Sequence, residues 1–194
     1  MNVAIIDYGA GNVTSLGFAL KRIGVENISI TFEADELLRS DAVIFPGVGH
    51  AAFAMDQLKK YQLDKVIPEL KQPFLGICLG MQLMCEHTEE GNCDGLGIFE
   101  VRVRQFPDKL KVPHMGWNTV IPLTDTGLTA SDNWFYFVHS YYAEISKHTV
   151  GKTDYMFDFS SILQKDNFMG CQFHPEKSAV QGEKYLQSFL NLVV

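Results

Sequence analysis

Basic clusters are absent from this chain. Its formal net charge is −7, and no run of Lys and Arg interrupts the acidic balance. Nucleic-acid binding leans on cationic contacts to phosphate, so no nucleic-acid partner is expected. No apolar run approaches the roughly 20 residues that cross a bilayer, so no membrane segment is expected either. The opening Met1-Asn-Val-Ala-Ile-Ile-Asp7 is apolar but short and lacks a basic leader. It reads as a buried first strand, not a signal peptide, and the expected location is the cytoplasm. Cysteine is scarce: Cys78, Cys85, Cys93 and Cys171 form no Cys-x-x-Cys pair. That suits a reducing compartment and leaves one of them available as a nucleophile. Cys85, His87 and Cys93 match no standard zinc spacing, so neither metal nor cofactor is expected. There is no Gly-x-x-x-x-Gly-Lys loop for nucleotide phosphates. Gly9-Ala-Gly11-Asn-Val-Thr14 lacks the third glycine of a dinucleotide loop.

What is present is the composition of a globular chain: 194 residues, 46% apolar and 20% charged. That length fits one domain, 1–194, able to bury a core without a disulfide or metal staple. The first half alternates short apolar runs with amphipathic stretches. Strands are predicted at Val3–Ile6, Ile28–Phe32, Ala42–Phe45 and Phe74–Ile77, and helices at Val13–Ile23, Ala51–Lys60 and Met81–Glu86. Strands apolar on both faces and separated by helices imply a parallel sheet covered on both sides. The second half is strand-rich. The predicted strands are Phe99–Val103, Asn118–Ile121, Trp134–Val138, Tyr141–Ile145, Tyr155–Phe157, Ser161–Gln164 and Phe168–Phe173. Turn residues at Asp108, Asp125–Gly127 and Asp166-Asn167 punctuate them, and Gln181–Leu192 closes the chain as a helix. The expected fold is a single α/β domain with a mostly parallel central sheet flanked by helices, plus antiparallel strands in the second half.

The strongest chemical signal is Gly76-Ile-Cys78-Leu-Gly80, directly after a predicted strand and before a helical segment. Glycines two before and two after a nucleophile admit a sharp turn that holds the reactive atom above the sheet edge, a nucleophile elbow with Cys in place of Ser. A free cysteine is more commonly a small buried residue, so the reading needs a base. Gly170-Cys-Gln-Phe-His174-Pro-Glu176 supplies one at the end of a late strand. In extended conformation His174 and Glu176 point to one face, where a carboxylate fixes the imidazole tautomer and stabilises its cation. Pro46-Gly47-Val48-Gly49 ends another strand, and its amides are candidates for an oxyanion hole together with the N–H of Leu79.

These residues resemble the class I (triad) glutamine amidotransferases. They are most similar to the glutaminase subunits of imidazole glycerol phosphate synthases. The likeness runs through essentially the whole chain, on Asp7-Tyr-Gly-Ala-Gly-Asn12, Pro46–Gly49, Gly76–Gln82, Pro113-His-Met-Gly-Trp-Asn118, Phe137-Val-His-Ser-Tyr141 and Gln172–Lys177. It implies that Cys78 attacks the side-chain amide of glutamine, that His174 moves the proton and that Glu176 orients His174. It implies further that Gln82, Ser140 and Tyr141 hold the amino-acid end of L-glutamine. The oxyanion strand would be Gly47–Gly49, rearranging when the partner is active. Asn12, Trp117, Tyr136 and Lys177 match positions at or near a partner interface. His50 departs from the pattern, with helix capping or a surface role as its expected use.

Ammonia is useful only if delivered under cover, and the chain is too short to carry a (βα)8 barrel of ~250 residues beside such a site. The resemblance therefore implies a separate (βα)8-barrel cyclase subunit of histidine biosynthesis as partner, with imidazole glycerol phosphate and aminoimidazole carboxamide ribotide as products. The same glutaminase chemistry serving a surface-sugar amidation enzyme remains open, as does a non-catalytic binding module.

Overall fold

The computed structural model describes residues 1–9, 12–124 and 134–193. Ala10 and Gly11 of the opening loop and the turn expected at Asp125–Gly127 lie outside the described residues.

The first half is built as its pattern demands. β1 (Asn2–Ile6), β2 (Asn27–Thr31), β3 (Ala42–Gly47) and β4 (Phe74–Cys78) pair in the order β2-β1-β3-β4, every contact parallel. Helices α1 (Val13–Arg22), α2 (Ala34–Arg39), α3 (Ala51–Lys60) and α4 (Leu63–Val66) make the crossovers. Alternate side chains of each strand go to opposite cores, because successive Cβ atoms point to opposite faces. Ala4, Ile6, Val43 and Phe45 meet Ala54 and Leu58 of α3 on one side. Val3, Ile5, Ala42 and Ile44 meet Leu16 and Leu20 of α1 on the other. β3 and β4 are buried along their whole length. Each such aliphatic side chain contributes about 1.5–3 kcal/mol on burial.

The second half extends the same sheet. It comprises α5 (Leu79–Leu83), β5 (Cys85–Thr88), β6 (Cys93–Asp94), β7 (Phe99–Gln105), β8 (His114–Thr119), β9 (Ile121–Pro122), β10 (Trp134–His139) and β11 (Tyr141–Ala143). β12 (Thr149–Tyr155), β13 (Phe157–Lys165), β14 (Phe168–Cys171) and α6 (Ala179–Leu190) follow. β14 lies parallel beside β4, then β13, β11 and β7 continue antiparallel, with β5 and β6 at the far edge. β12 folds back on β13 and also pairs with β9, while β8 and β10 form a separate antiparallel ribbon. Side chains of α6 such as Leu186 and Phe189 close the same core as α1.

Three predicted elements are corrected. The helix expected at Met81–Glu86 begins earlier, at Leu79, and stops at Leu83, because Cys85–Thr88 pairs with β7. The strand expected at Asn118–Ile121 is split at buried Val120, its two parts joining different partners. Tyr155–Phe157 is not one continuous strand but a hairpin tip: Tyr155 ends β12, Met156 turns the chain at φ 67°, and Phe157 begins β13 opposite Tyr155.

Candidate active site

β4 delivers Cys78 to the carboxyl edge of the sheet, where open α/β sheets place their sites. Cys78 has φ 52° and ψ −109°, a strained combination for a residue with a side chain. The turn into α5 exists because its flanking glycines have no Cβ. A Cβ on Gly76 would stand 2.8 Å from the Met81 nitrogen, and one on Gly80 would collide with the carbonyl of Phe45. The sharp turn at Cys78, with β4 entering and α5 leaving, is a nucleophile elbow.

β14 brings the partner side chain. Its register sets Cys171 opposite Ile77, so His174 follows just beyond the strand end nearest Cys78. His174 Nδ1 lies 2.9 Å from Glu176 Oε1, with both side chains at most 3% exposed. The expected extended His-Pro-Glu geometry is corrected. Pro175–Lys177 is a 3-10 turn, and that curl, not a shared strand face, folds the carboxylate back to the ring. Ser178 pins the turn: its hydroxyl donates to the His174 carbonyl at 2.6 Å and accepts from the Tyr136 N–H at 2.9 Å. The His174 N–H donates in turn to the Tyr136 carbonyl at 2.9 Å.

Burial opposes a charge on His174, but the charge of the Cys78 sulfur, then Glu176, outweigh it and hold the imidazole up to about 10. Among the described residues Nε2 has no hydrogen-bond partner, and it is the ring atom free to face the sulfur. Burial raises the thiols of Cys85, Cys93 and Cys171, which disfavours their reactive thiolate forms.

Cys78 and His174 open into one cavity of about 310 Å³. Leu79, Gln82, Ser140 and Tyr141 line it, as do Gly47, Val48 and Gly49 at the end of β3. Gly47 pairs with Cys78 in register. Gln82 is 4% exposed and donates to the Tyr141 carbonyl at 2.9 Å. The structure thus gathers Cys78, His174 and the predicted oxyanion and substrate residues around a single space, with Glu176 behind the imidazole.

Trp117 and Tyr136 face each other across the β8/β10 ribbon, their rings 6.2 Å apart, and Trp117 is 51% exposed. Lys177 is exposed on the turn that Tyr136 supports, and half-buried Asn12 stands at the start of α1. His50 does not cap α3 with its side chain; Glu90 does, accepting from the Ala51 N–H at 3.0 Å.

Glu90 also lines the cavity, and burial raises its carboxyl against the opposing Ala51 N–H and His50. Sequence reasoning missed it, because nothing near Glu89-Glu90-Gly91 distinguishes a site carboxylate from a solvated turn. Ser178 was likewise missed, its role being visible only once the 3-10 turn is seen.

Residues 4–192 match the family described as glutamine amidotransferase class-I. The chain is 52% identical over 198 residues to the imidazole glycerol phosphate synthase subunit HisH of Bacteroides fragilis, covering 99% of this chain and 100% of that protein. It is 43% identical to the HisH subunit of Idiomarina loihiensis, with full coverage of both. Among solved structures, a glutamine amidotransferase superposes with a TM-score of 0.76 at 17% identity, covering 100% of this chain and 99% of the other, a likeness of fold. An elbow cysteine facing a His–Glu pair on this sheet, within a family match of that extent, makes the chain a member of the class I glutamine amidotransferases.

Proposed function

We propose that this chain hydrolyses L-glutamine and passes the ammonia to a separate (βα)8-barrel cyclase subunit, which makes imidazole glycerol phosphate and aminoimidazole carboxamide ribotide in the cytoplasm. The observation that carries the chemistry is the shared cavity of Cys78 and His174, with Glu176 2.9 Å from the far side of the ring.

In this reading the Cys78 sulfur, its proton already held on His174 Nε2, attacks the carboxamide carbon. The tetrahedral oxyanion is received by the Leu79 N–H and by amides of Gly47–Gly49. The imidazolium, stabilised by Glu176, returns the proton to the departing nitrogen, and the C–N bond breaks to leave a thioester and ammonia. Water, deprotonated by His174, then cleaves the thioester, releasing glutamate and restoring the thiolate. Gln82, Ser140 and Tyr141 hold the amino-acid end, and the Glu90 carboxylate suits the α-ammonium. Asn12, Trp117, Tyr136 and Lys177 are proposed to meet the cyclase in a heterodimer. The names of the HisH relatives support the pathway.

The test combines the chain with its cyclase. Cys78→Ala is expected to remove synthesis from glutamine while leaving synthesis from added ammonia intact. Retained glutamate release, or loss of both activities, overturns the proposal.

A further inference from the structure

A hydrogen-bond chain runs from the cavity wall, where His139 itself lines the space, back to His114 and Asn118, and the mechanism above gives neither imidazole a part. Asn118 Nδ2 reaches His114 Nε2 at 3.2 Å, and His114 Nδ1 meets His139 Nε2 at 2.9 Å. His139 Nδ1 then meets the Tyr141 carbonyl at 2.7 Å. That same carbonyl accepts from Gln82 Nε2, whose other N–H goes to Gln172 Oε1 at 2.8 Å. Gln172 Nε2 completes the line 3.6 Å from the Cys78 sulfur. Both imidazoles are buried, His114 stacked between Tyr155 and Phe137 with centroids 4.0 and 5.0 Å away.

The ends of the chain dictate where every hydrogen sits. Asn118 Oδ1 accepts from the Thr119 N–H at 2.8 Å, and Nδ2 also donates to the Asp154 carbonyl at 3.0 Å. An amide nitrogen only donates, so His114 Nε2 accepts and its hydrogen sits on Nδ1. That hydrogen goes to His139 Nε2, which places the second ring's hydrogen on Nδ1 as well. The Tyr141 carbonyl, which only accepts, receives it. A proton added to either ring would set two N–H groups face to face. Burial acts in the same sense, pulling His114 down to about 4 and His139 to about 3. With both amide hydrogens engaged, Gln82 has only Oε1 left for a ligand, an acceptor that suits an ammonium group.

We propose that His114 and His139 are positioning residues of the glutaminase site: as a relay of two neutral Nδ1–H imidazoles they fix the Tyr141 carbonyl and, through it, the Gln82 amide that receives the substrate. This rests on the glutaminase reading of the cavity. A neutral His139 also spares His174 an adjacent positive charge.

Two measurements test the relay. Nitrogen-15 NMR of the histidine-labelled chain at pH 7 is expected to show two buried rings carrying hydrogen on Nδ1 and none on Nε2. Kinetics with the cyclase present then read its role. His139→Phe keeps an aromatic ring and removes both hydrogen bonds; KM for glutamine is expected to rise about tenfold, the scale of one lost hydrogen bond, with kcat nearly unchanged. His139→Asn, whose amide N–H can stand in for Nδ1–H, is expected to recover most of that loss. Should His139→Phe not fold, His114→Phe provides the same reading. Rings carrying hydrogen on Nε2, an unchanged KM in a folded variant, or an Asn variant no better than Phe would each overturn the relay. If the wild-type pair releases no glutamate, the glutaminase reading falls, while the NMR spectrum still decides the proton arrangement.

Discussion

Mild acid should weaken this fold more than its carboxylates alone would allow. His114 and His139 sit at about 4 and about 3 in the fold against an ordinary 6.5. The sign follows from linkage. Below 6.5 the unfolded chain binds two protons that the native chain refuses, so stability is complete above that value and is lost as pH falls towards 4 and 3. Between pH 7 and pH 5 each histidine removes about 2 kcal/mol, and the pair about 4 kcal/mol. His174 acts in the opposite sense, its value raised and its stabilisation lost only as pH climbs towards about 10. At pH 7 the native chain holds a proton that the unfolded chain only partly holds, so His174 returns about 1 kcal/mol across this window and leaves a net loss of about 3 kcal/mol. With a urea slope of about 2–3 kcal/mol/M for a chain of this size, the midpoint should fall by roughly 1–1.5 M. Urea unfolding of the wild type and of a His114→Phe/His139→Phe double variant at both pH values measures it. The variant should lose most of the pH dependence. A wild-type difference below about 1 kcal/mol, or a variant with the same slope, refutes the reasoning.

Glu176→Gln removes the counter-charge from the His174 cation while keeping the side chain's shape. Glutamine-dependent kcat should fall about a hundredfold with little change in KM, measured with the cyclase; a fall under threefold would contradict the assigned role. Ser178→Ala leaves the His174 carbonyl and the Tyr136 N–H without their shared partner. It should cost about 2 kcal/mol and lower Tm by roughly 4–8 °C in a thermal scan. Gly80→Ala drives a methyl into the Phe45 carbonyl, where backbone cannot yield. A loss of about 3 kcal/mol or more is expected by denaturation, and an unchanged Tm would show the elbow to be looser than described.

The parallel half was legible because its strands are short runs buried on both faces, and the elbow because Gly76, Cys78 and Gly80 sit at fixed spacing. The β12–β13 hairpin was not. Tyr155-Met-Phe157 contains no turn-forming residue, so its apolar character read as strand, while Met156 takes the positive φ that normally marks glycine. β5 was hidden for a related reason: Cys85-Glu-His-Thr88 continues a helical pattern, and only pairing with β7 overrides it. Within the site, Cys78, His174 and Glu176 carry their chemistry in their residue types. Glu90, Ser178, His114 and His139 are placed by contacts between residues distant in sequence, which no local pattern records.

β14 occupies a seat between β4 and β13, although β5 to β13 separate it from β4 in the chain. A ribosome therefore releases the sulfur long before the imidazole that shares its cavity, 96 positions later by the numbers 78 and 174. Until Phe168–Cys171 slides into place beside Phe74–Ile77, the two halves of the sheet present open edges to each other. Closing that gap and bringing the imidazole to the thiol are one event, so the pair cannot meet in a nascent chain until β14 has been made and docked.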